Sequence, residues 1–327
     1  MIRFLRAYIK SMRLYYSFVT GIAGWIGVAY YEFIALSSTE YTTEIIPPTE
    51  KKLVILILLF LSWGINQIVN DYLGRKEDRI NAPDRPMVTG ELHPQLALAV
   101  SAFLLLIVAL ITWFYLEPFA IIFMLAGILL NVIYEWAKGY GILGNIVFGL
   151  MITQATLYGG YACGPTQASF LETHRLSAII LIWLMNGLMT FYTYFKDYQG
   201  DKAAGKRTIV VQFGLRISRF IAILSAFLPT IVFLILVQTD LLWIEFNPTF
   251  KILGLVTVFL QIWTGVLYYR NPVGEKTYAS LQTNFRACIC GQAALIAMFN
   301  PELAIWIFMF AYIFVGFLFE LHTNPRS

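Results

Sequence analysis

Two short stretches hold the residues able to do chemistry. The first runs from Asn66 to Gly90, N-Q-I-V-N-D-Y-L-G-R-K-E-D-R-I-N-A-P-D-R-P-M-V-T-G, and closes an apolar run, Leu53 to Ile65, that makes up most of a membrane span. Asn66 and Asn70 fall one helical turn apart on one face, followed by Asp71 and, seven residues on, Asp78. Amides and carboxylates at the end of a membrane helix are costly and are rarely there without a use. Pro83 and Pro86 stop the helix, while Arg75, Lys76, Arg79 and Arg85 crowd the same loop. Acids and bases interleaved this closely suit a phosphate group bridged by a divalent cation.

The second stretch, Lys196-Asp197-Tyr198-Gln199-Gly200-Asp201-Lys202, closes another apolar helix and leads into the basic Gly205-Lys206-Arg207-Thr208. Asp197 and Asp201 stand at i and i+4, so a helix points both carboxylates the same way. Two like charges so placed repel, and a shared cation relieves them. Either cluster alone reads equally well as a solvated loop beside the membrane. Two on one membrane side favour a joint site.

The elements that must position these residues follow from composition. Mean hydropathy is +0.70, 59% of the 327 residues are hydrophobic and only 13% are charged. The apolar runs do not alternate as barrel strands do, so the chain reads as an all-α polytopic membrane protein. Ten spans are expected: near 14–33, a second whose apolar run 53–65 is closed by Asp71, then 94–115, 118–136, 141–162, 176–194, 216–237, 252–269 and 278–299, and a last one at 302–321 beyond Asn300-Pro301. We read them as one transmembrane domain over residues 1–327. With the N-terminus cytoplasmic, the only basic residues of the 23 to fall outside are Lys51, Lys52, Arg175 and Lys251. That orientation puts both acidic stretches on the cytoplasmic side and Thr43 on the other. A net charge of +4 carried at span ends gives no nucleic-acid surface, and no obligate protein partner is evident. Asp71 and Asp197 close the second and sixth spans, a weak internal repeat that would bring the two stretches face to face.

N-D-Y-L-G-R-K-E-D-R-I-N-A-P-D-R-P-M-V-T-G and K-D-Y-Q-G-D-K-A-A-G-K-R-T resemble the two Asp-rich motifs of the UbiA-type intramembrane prenyltransferases. Tyr134, Lys138, Asn145 and Gly149 fall where that family carries a Tyr and Lys ending helix four and an Asn and Gly opening helix five. The resemblance implies nine helices around a central cavity, with the stretch after Pro301 as an extra helix. It also implies Mg²⁺-assisted transfer of a polyprenyl group from its diphosphate to a lipophilic acceptor, such as a quinone, pigment or lipid precursor. On this reading Asn70, Asp71 and Asp78 hold one ion and Asp197 with Asp201 the other, as oxygen ligands suited to Mg²⁺. Asn66, Arg75, Lys76, Lys138, Lys202 and Arg207 are candidates to meet the diphosphate. Tyr134 and Tyr194 would face the allylic cation, and Asn145 and Asn186 either line the cavity or hydrogen-bond between helices.

One position departs from the pattern. Gly74 stands where the first motif carries its middle Asp, usually a metal-facing carboxylate; Asp71 or Glu77 compensates, one ion is held more weakly, or the position marks a branch with altered chemistry. Simple ligand loss predicts that Gly74→Asp tightens Mg²⁺ binding. Two other functions stay open: a terpene cyclase on the same scaffold, and a cation-coupled transporter. The transporter reading suffers from acids at helix ends rather than mid-span. Cys288 and Cys290 lie inside an apolar helix with no matching Cys/His pair, so they read as small core residues rather than zinc ligands.

Overall fold

The computed structural model describes residues 2–37, 44–167, 173–242, 246–274 and 276–323; Thr43, with Glu40 and Glu172 of the neighbouring loops, lies outside them. The chain begins with α1 (Ile2–Met12), whose Arg3, Arg6 and Lys10 accompany an apolar face, as in a helix lying along a membrane surface. Next come α2 (Ser17–Ser37) and α3 (Thr49–Leu73), which starts directly after Pro48. Gly74 separates α3 from the short α4 (Arg75–Asn81), although hydrogen bonds from Gly74 N–H to Asn70 and from Asp78 N–H to Gly74 carry the helical pattern across it. Pro83 ends that pattern, and α5 (Pro86–Thr89) is a single turn that opens on its own proline.

The bundle continues with α6 (Pro94–Tyr115), α7 (Ile121–Ala137), α8 (Leu143–Ala162) and α9 (Thr173–Lys196). A short α10 (Tyr198–Ala203) leads to α11 (Ile209–Ser225), kinked at Gly214, and α12 (Leu228–Gln238), which together form one span. Last are α13 (Pro248–Arg270), α14 (Thr277–Ile296) and α15 (Pro301–Thr323). Among the described residues a helix lies at each of the ten expected positions, but only seven spans are long and apolar enough to cross a membrane by length and composition. The fold is the expected all-α membrane bundle.

The most enclosed helices are α2, α8 and α14, and lipid-facing side chains such as Phe114, Leu224, Leu255 and Trp306 lie on the outer ones. Small residues let α2 and α8 touch along their backbones. A Cβ on Gly159 would fall 2.0 Å from the Gly24 carbonyl oxygen, and Thr156 Oγ1 donates to the Ala23 carbonyl at 2.8 Å. Among the described residues the strand content is one parallel bridge between β1 (Tyr140–Gly141) and β2 (Arg207–Thr208). That bridge ties the end of α7 to the segment after α10, so it draws the second acidic stretch over the bundle.

Candidate active site

A polar cavity lies where α3, α4, α7 and α9 end. Asn70, Asp71, Asp78, Tyr134, Lys138 and Asp197 all line it, so the two acidic stretches face each other. Asp71 is 1% exposed. Its Oδ1 accepts from Arg13 and, at 3.0 Å, from Gln67 Nε2. Arg13 reaches it from a left-handed backbone turn, φ 47°, between α1 and α2. Arg85 bridges both acids of the first stretch: Nη1 is 3.6 Å from Asp71 Oδ1 and also pairs with Asp78. Burial opposes the Arg85 charge, yet Asp71, Asp78 and Asp197 more than offset it and raise its pKa. Burial wins at Asp78, whose pKa rises despite Arg85 and Arg13.

Across the cavity, Asp197 sits just outside α10 beside Lys196. Burial disfavours its charge, but Lys196, Lys138, Arg85 and Arg13 prevail and its pKa falls below the usual carboxylate value. Asp201 is placed differently. It is 0% exposed and lies behind Lys138, with Nζ 2.9 Å from its Oδ1. Burial, aided by Asp197, pushes the Asp201 pKa to about 6 against the pull of Lys138. The i, i+4 spacing therefore turns one carboxylate to the cavity and the other to the lysine beside it.

The remaining expected residues separate by what they touch. Arg75 folds back, its Nε donating to the Tyr72 carbonyl at 3.0 Å and its guanidinium lying 4.3 Å from the Tyr72 ring centre. Lys76 and Lys202 are exposed, and Arg207 points outward from β2 while Thr208 points in, as strand alternation requires. None of these four lines the cavity. Asn66 lines an adjoining, mostly apolar cavity of about 740 Å³, which shares Trp63, Gln67 and Asn70 with the polar one. Tyr194 is buried under Lys138, whose Nζ is 5.9 Å from its ring centre. Asn145 donates to the Gly187 carbonyl at 3.0 Å and so links α8 to α9. Asn186 donates to Ile182 within α9 and faces the Cys288 thiol of α14.

Arg13, Lys196 and Glu135 line the site although spacing does not single them out, Arg85 stands out in the sequence only among the basic residues of its loop, and Lys206 reaches the site through Glu135. Lys206 follows Gly205, whose φ of 76° turns the chain back toward the bundle. Its ammonium pairs with Glu135 and lies 2.9 Å from Glu77 Oε1. For Glu135 a signal existed, since a carboxylate in the last turn of an apolar helix is costly in a membrane.

Oxygens able to take a hard divalent cation are present. Asp71 Oδ2, Asn70 Oδ1 and Glu77 Oε2 are buried without a hydrogen-bond partner. Among the described residues, no three Asp, Glu, His or Cys side chains converge as a closed metal cage. Mg²⁺ does not need one, because it commonly binds one or two carboxylates together with substrate phosphate. The donor set fits that ion.

Fold and cavity together define a polytopic membrane protein with a buried polar site beside an apolar one. The chain belongs to the UbiA prenyltransferase family, whose profile matches residues 33–289, and is an integral membrane prenyltransferase. It is 27% identical over 290 residues to a digeranylgeranylglyceryl phosphate synthase from Thermococcus sibiricus, covering 87% of this chain and 94% of that one. The synthase of the same name from Pyrococcus horikoshii is also 27% identical, over 68% of this chain and 77% of its own length. Among solved structures, a UbiA homologue from Archaeoglobus fulgidus bound to DMAPP and Mg²⁺ shares the fold, with a TM-score of 0.62 at 13% identity over 97% of this chain and 99% of that one. The apo structure of a homologue from Aeropyrum pernix gives 0.65 at 14% identity, over 86% and 97%.

Proposed function

We propose that this chain transfers a long prenyl group from its diphosphate to a hydroxyl of a glyceryl phosphate lipid, with Mg²⁺ as cofactor and with both Asp-rich stretches on the cytoplasmic side. The observation that carries the reading is the adjacency of two cavities of opposite character. A polar one, framed by Asp71, Asp78 and Asp197, shares Trp63, Gln67 and Asn70 with an apolar one lined by Leu58, Leu59, Phe123 and Ile152. A diphosphate head fits the first and a hydrocarbon tail the second. The names of the relatives, whose product carries two geranylgeranyl groups on one glyceryl phosphate, favour a lipid acceptor over an aromatic one.

Bound Mg²⁺ would neutralise diphosphate oxygens and so ease departure of the leaving group. Asn70, Asp71, Asp78 and Asp197 would hold it. Lys138, Arg85, Arg13 and Lys196 are placed to stabilise the charge that builds up on the departing diphosphate. The C–O bond to prenyl C1 breaks with its electron pair leaving on diphosphate, the acceptor oxygen bonds to C1, and the hydroxyl proton is released. Tyr134, packed edge-on against Phe148 at 5.3 Å, puts an aromatic surface beside the cation and helps exclude water. Asp201 acts through Lys138, by keeping its ammonium charged and in place.

The test is incubation of purified protein with labelled geranylgeranyl diphosphate, Mg²⁺ and either geranylgeranylglyceryl phosphate or a hydroxylated aromatic acid. A doubly prenylated glyceryl phosphate is the expected product. A prenylated aromatic would overturn the acceptor, a cyclised hydrocarbon formed without acceptor would make the protein a cyclase, and absence of diphosphate release would reject the reading altogether.

A further inference from the structure

Gly74 leaves the first motif one carboxylate short, and the structure shows another carboxylate beside the vacant position. A Cβ built on Gly74 would lie 3.7 Å from Glu135 Oε1. Gly74 has φ −86° and ψ 12°, which any L residue adopts, so backbone conformation does not require glycine there. The carboxylate that would meet a side chain at 74 comes from the last turn of α7 and lines the same polar cavity as Asp71, Asp78 and Asp197.

Resting on the function proposed above, we infer that Glu135 supplies from α7 the cation-facing carboxylate that the first Asp-rich motif lacks at position 74, and that Gly74 is small to make room for it. Two further observations support this. Asp71, 1% exposed and lining the cavity, keeps Oδ2 without a partner, so the neighbouring ligand set is incomplete on the protein's own groups. Lys206 is also a single ammonium shared by Glu135 and Glu77. One positive charge held between two acids leaves a negative balance that a divalent ion would fill.

The inference reverses the expectation from simple ligand loss. An aspartate at 74 would push its carboxylate against one already there, and it would also crowd the Asn70 carbonyl oxygen, 3.1 Å from the added Cβ. Gly74→Asp alone should therefore bind the cation no more tightly than wild type. Gly74→Asp combined with Glu135→Gln moves the carboxylate back to the motif and should restore binding.

The probe is Mn²⁺, titrated with inorganic diphosphate into the full chain in detergent, with free Mn²⁺ read by its paramagnetic resonance signal. Gel filtration and melting temperature verify the fold of each variant. Glu135→Gln should weaken Mn²⁺ binding about tenfold or more, and Gly74→Asp/Glu135→Gln should return to within about threefold of wild type. Lys206→Met should bind at least as tightly as wild type, since it frees the carboxylate. If Glu135 served only to anchor Lys206, Lys206→Met would lose affinity as Glu135→Gln does, and that result overturns the inference. So does a Glu135→Gln affinity within about twofold of wild type, or a double variant as weak as the single. Wild-type protein that shows no diphosphate-dependent Mn²⁺ binding sensitive to Asp197→Asn would instead bring down the proposed function itself.

Discussion

Asp197 and Asp201 share a motif but meet different neighbours, and that difference separates their variants. Asp197 faces the cavity, where four cations hold it ionised. Asp197→Asn should reduce diphosphate release by about 10²-fold or more, in the range found when a group that stabilises transition-state charge is removed, with little change in melting temperature. Asp201 is fully enclosed and paired with Lys138. Removing one partner of a buried ion pair leaves the other uncompensated, at a cost of about 3 kcal/mol. Asp201→Asn should therefore lower both the melting temperature and kcat, with KM for the prenyl diphosphate nearly unchanged. Steady-state kinetics and thermal unfolding of both proteins in detergent check this. Turnover retained by Asp197→Asn would remove the second motif from the site, and an Asp201→Asn protein of unchanged melting temperature would mean that Asp201 does not act through Lys138.

The contact of α2 with α8 depends on glycine in a way that most other helix pairs here do not. A methyl group at Gly159 would meet the Gly24 carbonyl oxygen at 2.0 Å, and one at Gly27 would meet the Thr156 carbonyl oxygen at the same distance. Backbone atoms cannot step aside as a side chain can, so Gly159→Ala should destabilise the bundle by about 2–3 kcal/mol. Gly254 of α13 has open space where a Cβ would go, and Gly254→Ala should hold or raise stability by up to about 1 kcal/mol. Melting temperatures of the two variants in one detergent compare them; equal shifts would deny close α2–α8 packing any special part. These helices were legible in the sequence because membrane spans announce themselves by length and apolar content, and because Asn300-Pro301 divides the last apolar stretch in two. Both acidic stretches were legible too, as charges placed where membranes make charges costly. Which loop cations turn inward was not. Arg13 depends on a left-handed turn and Lys206 on Gly205 and the two-residue β1–β2 bridge, and strands that short carry no hydrophobic period. Arg207 illustrates the consequence: its place in the motif pointed to the diphosphate, while pairing with Tyr140 turns it outward.

The proposed orientation of the whole bundle ties charge distribution to access. Gly74 to His93, Lys138 to Ile142 and Asp197 to Thr208 all join helices at the end of the bundle that bears the polar cavity, whereas Asp240 lies in the turn after α12 at the opposite end. A diphosphate is too polar to cross the hydrocarbon, so it must enter from the side on which it is made soluble, and the cationic ends of α1, α3 and α9 attract it there. The same basic residues would hold that end on the cytoplasmic face. One experiment checks both ideas. Single cysteines at Gln199 and Asp240 should react with a membrane-impermeant maleimide from opposite sides of sealed vesicles, Gln199→Cys from the cytoplasmic side. Background should be low, because Cys163, Cys288 and Cys290 are all buried. Labelling of the two positions from one side would break the ten-span topology, and labelling of Gln199→Cys only from the outer face would invert it and place diphosphate entry on the wrong side of the membrane.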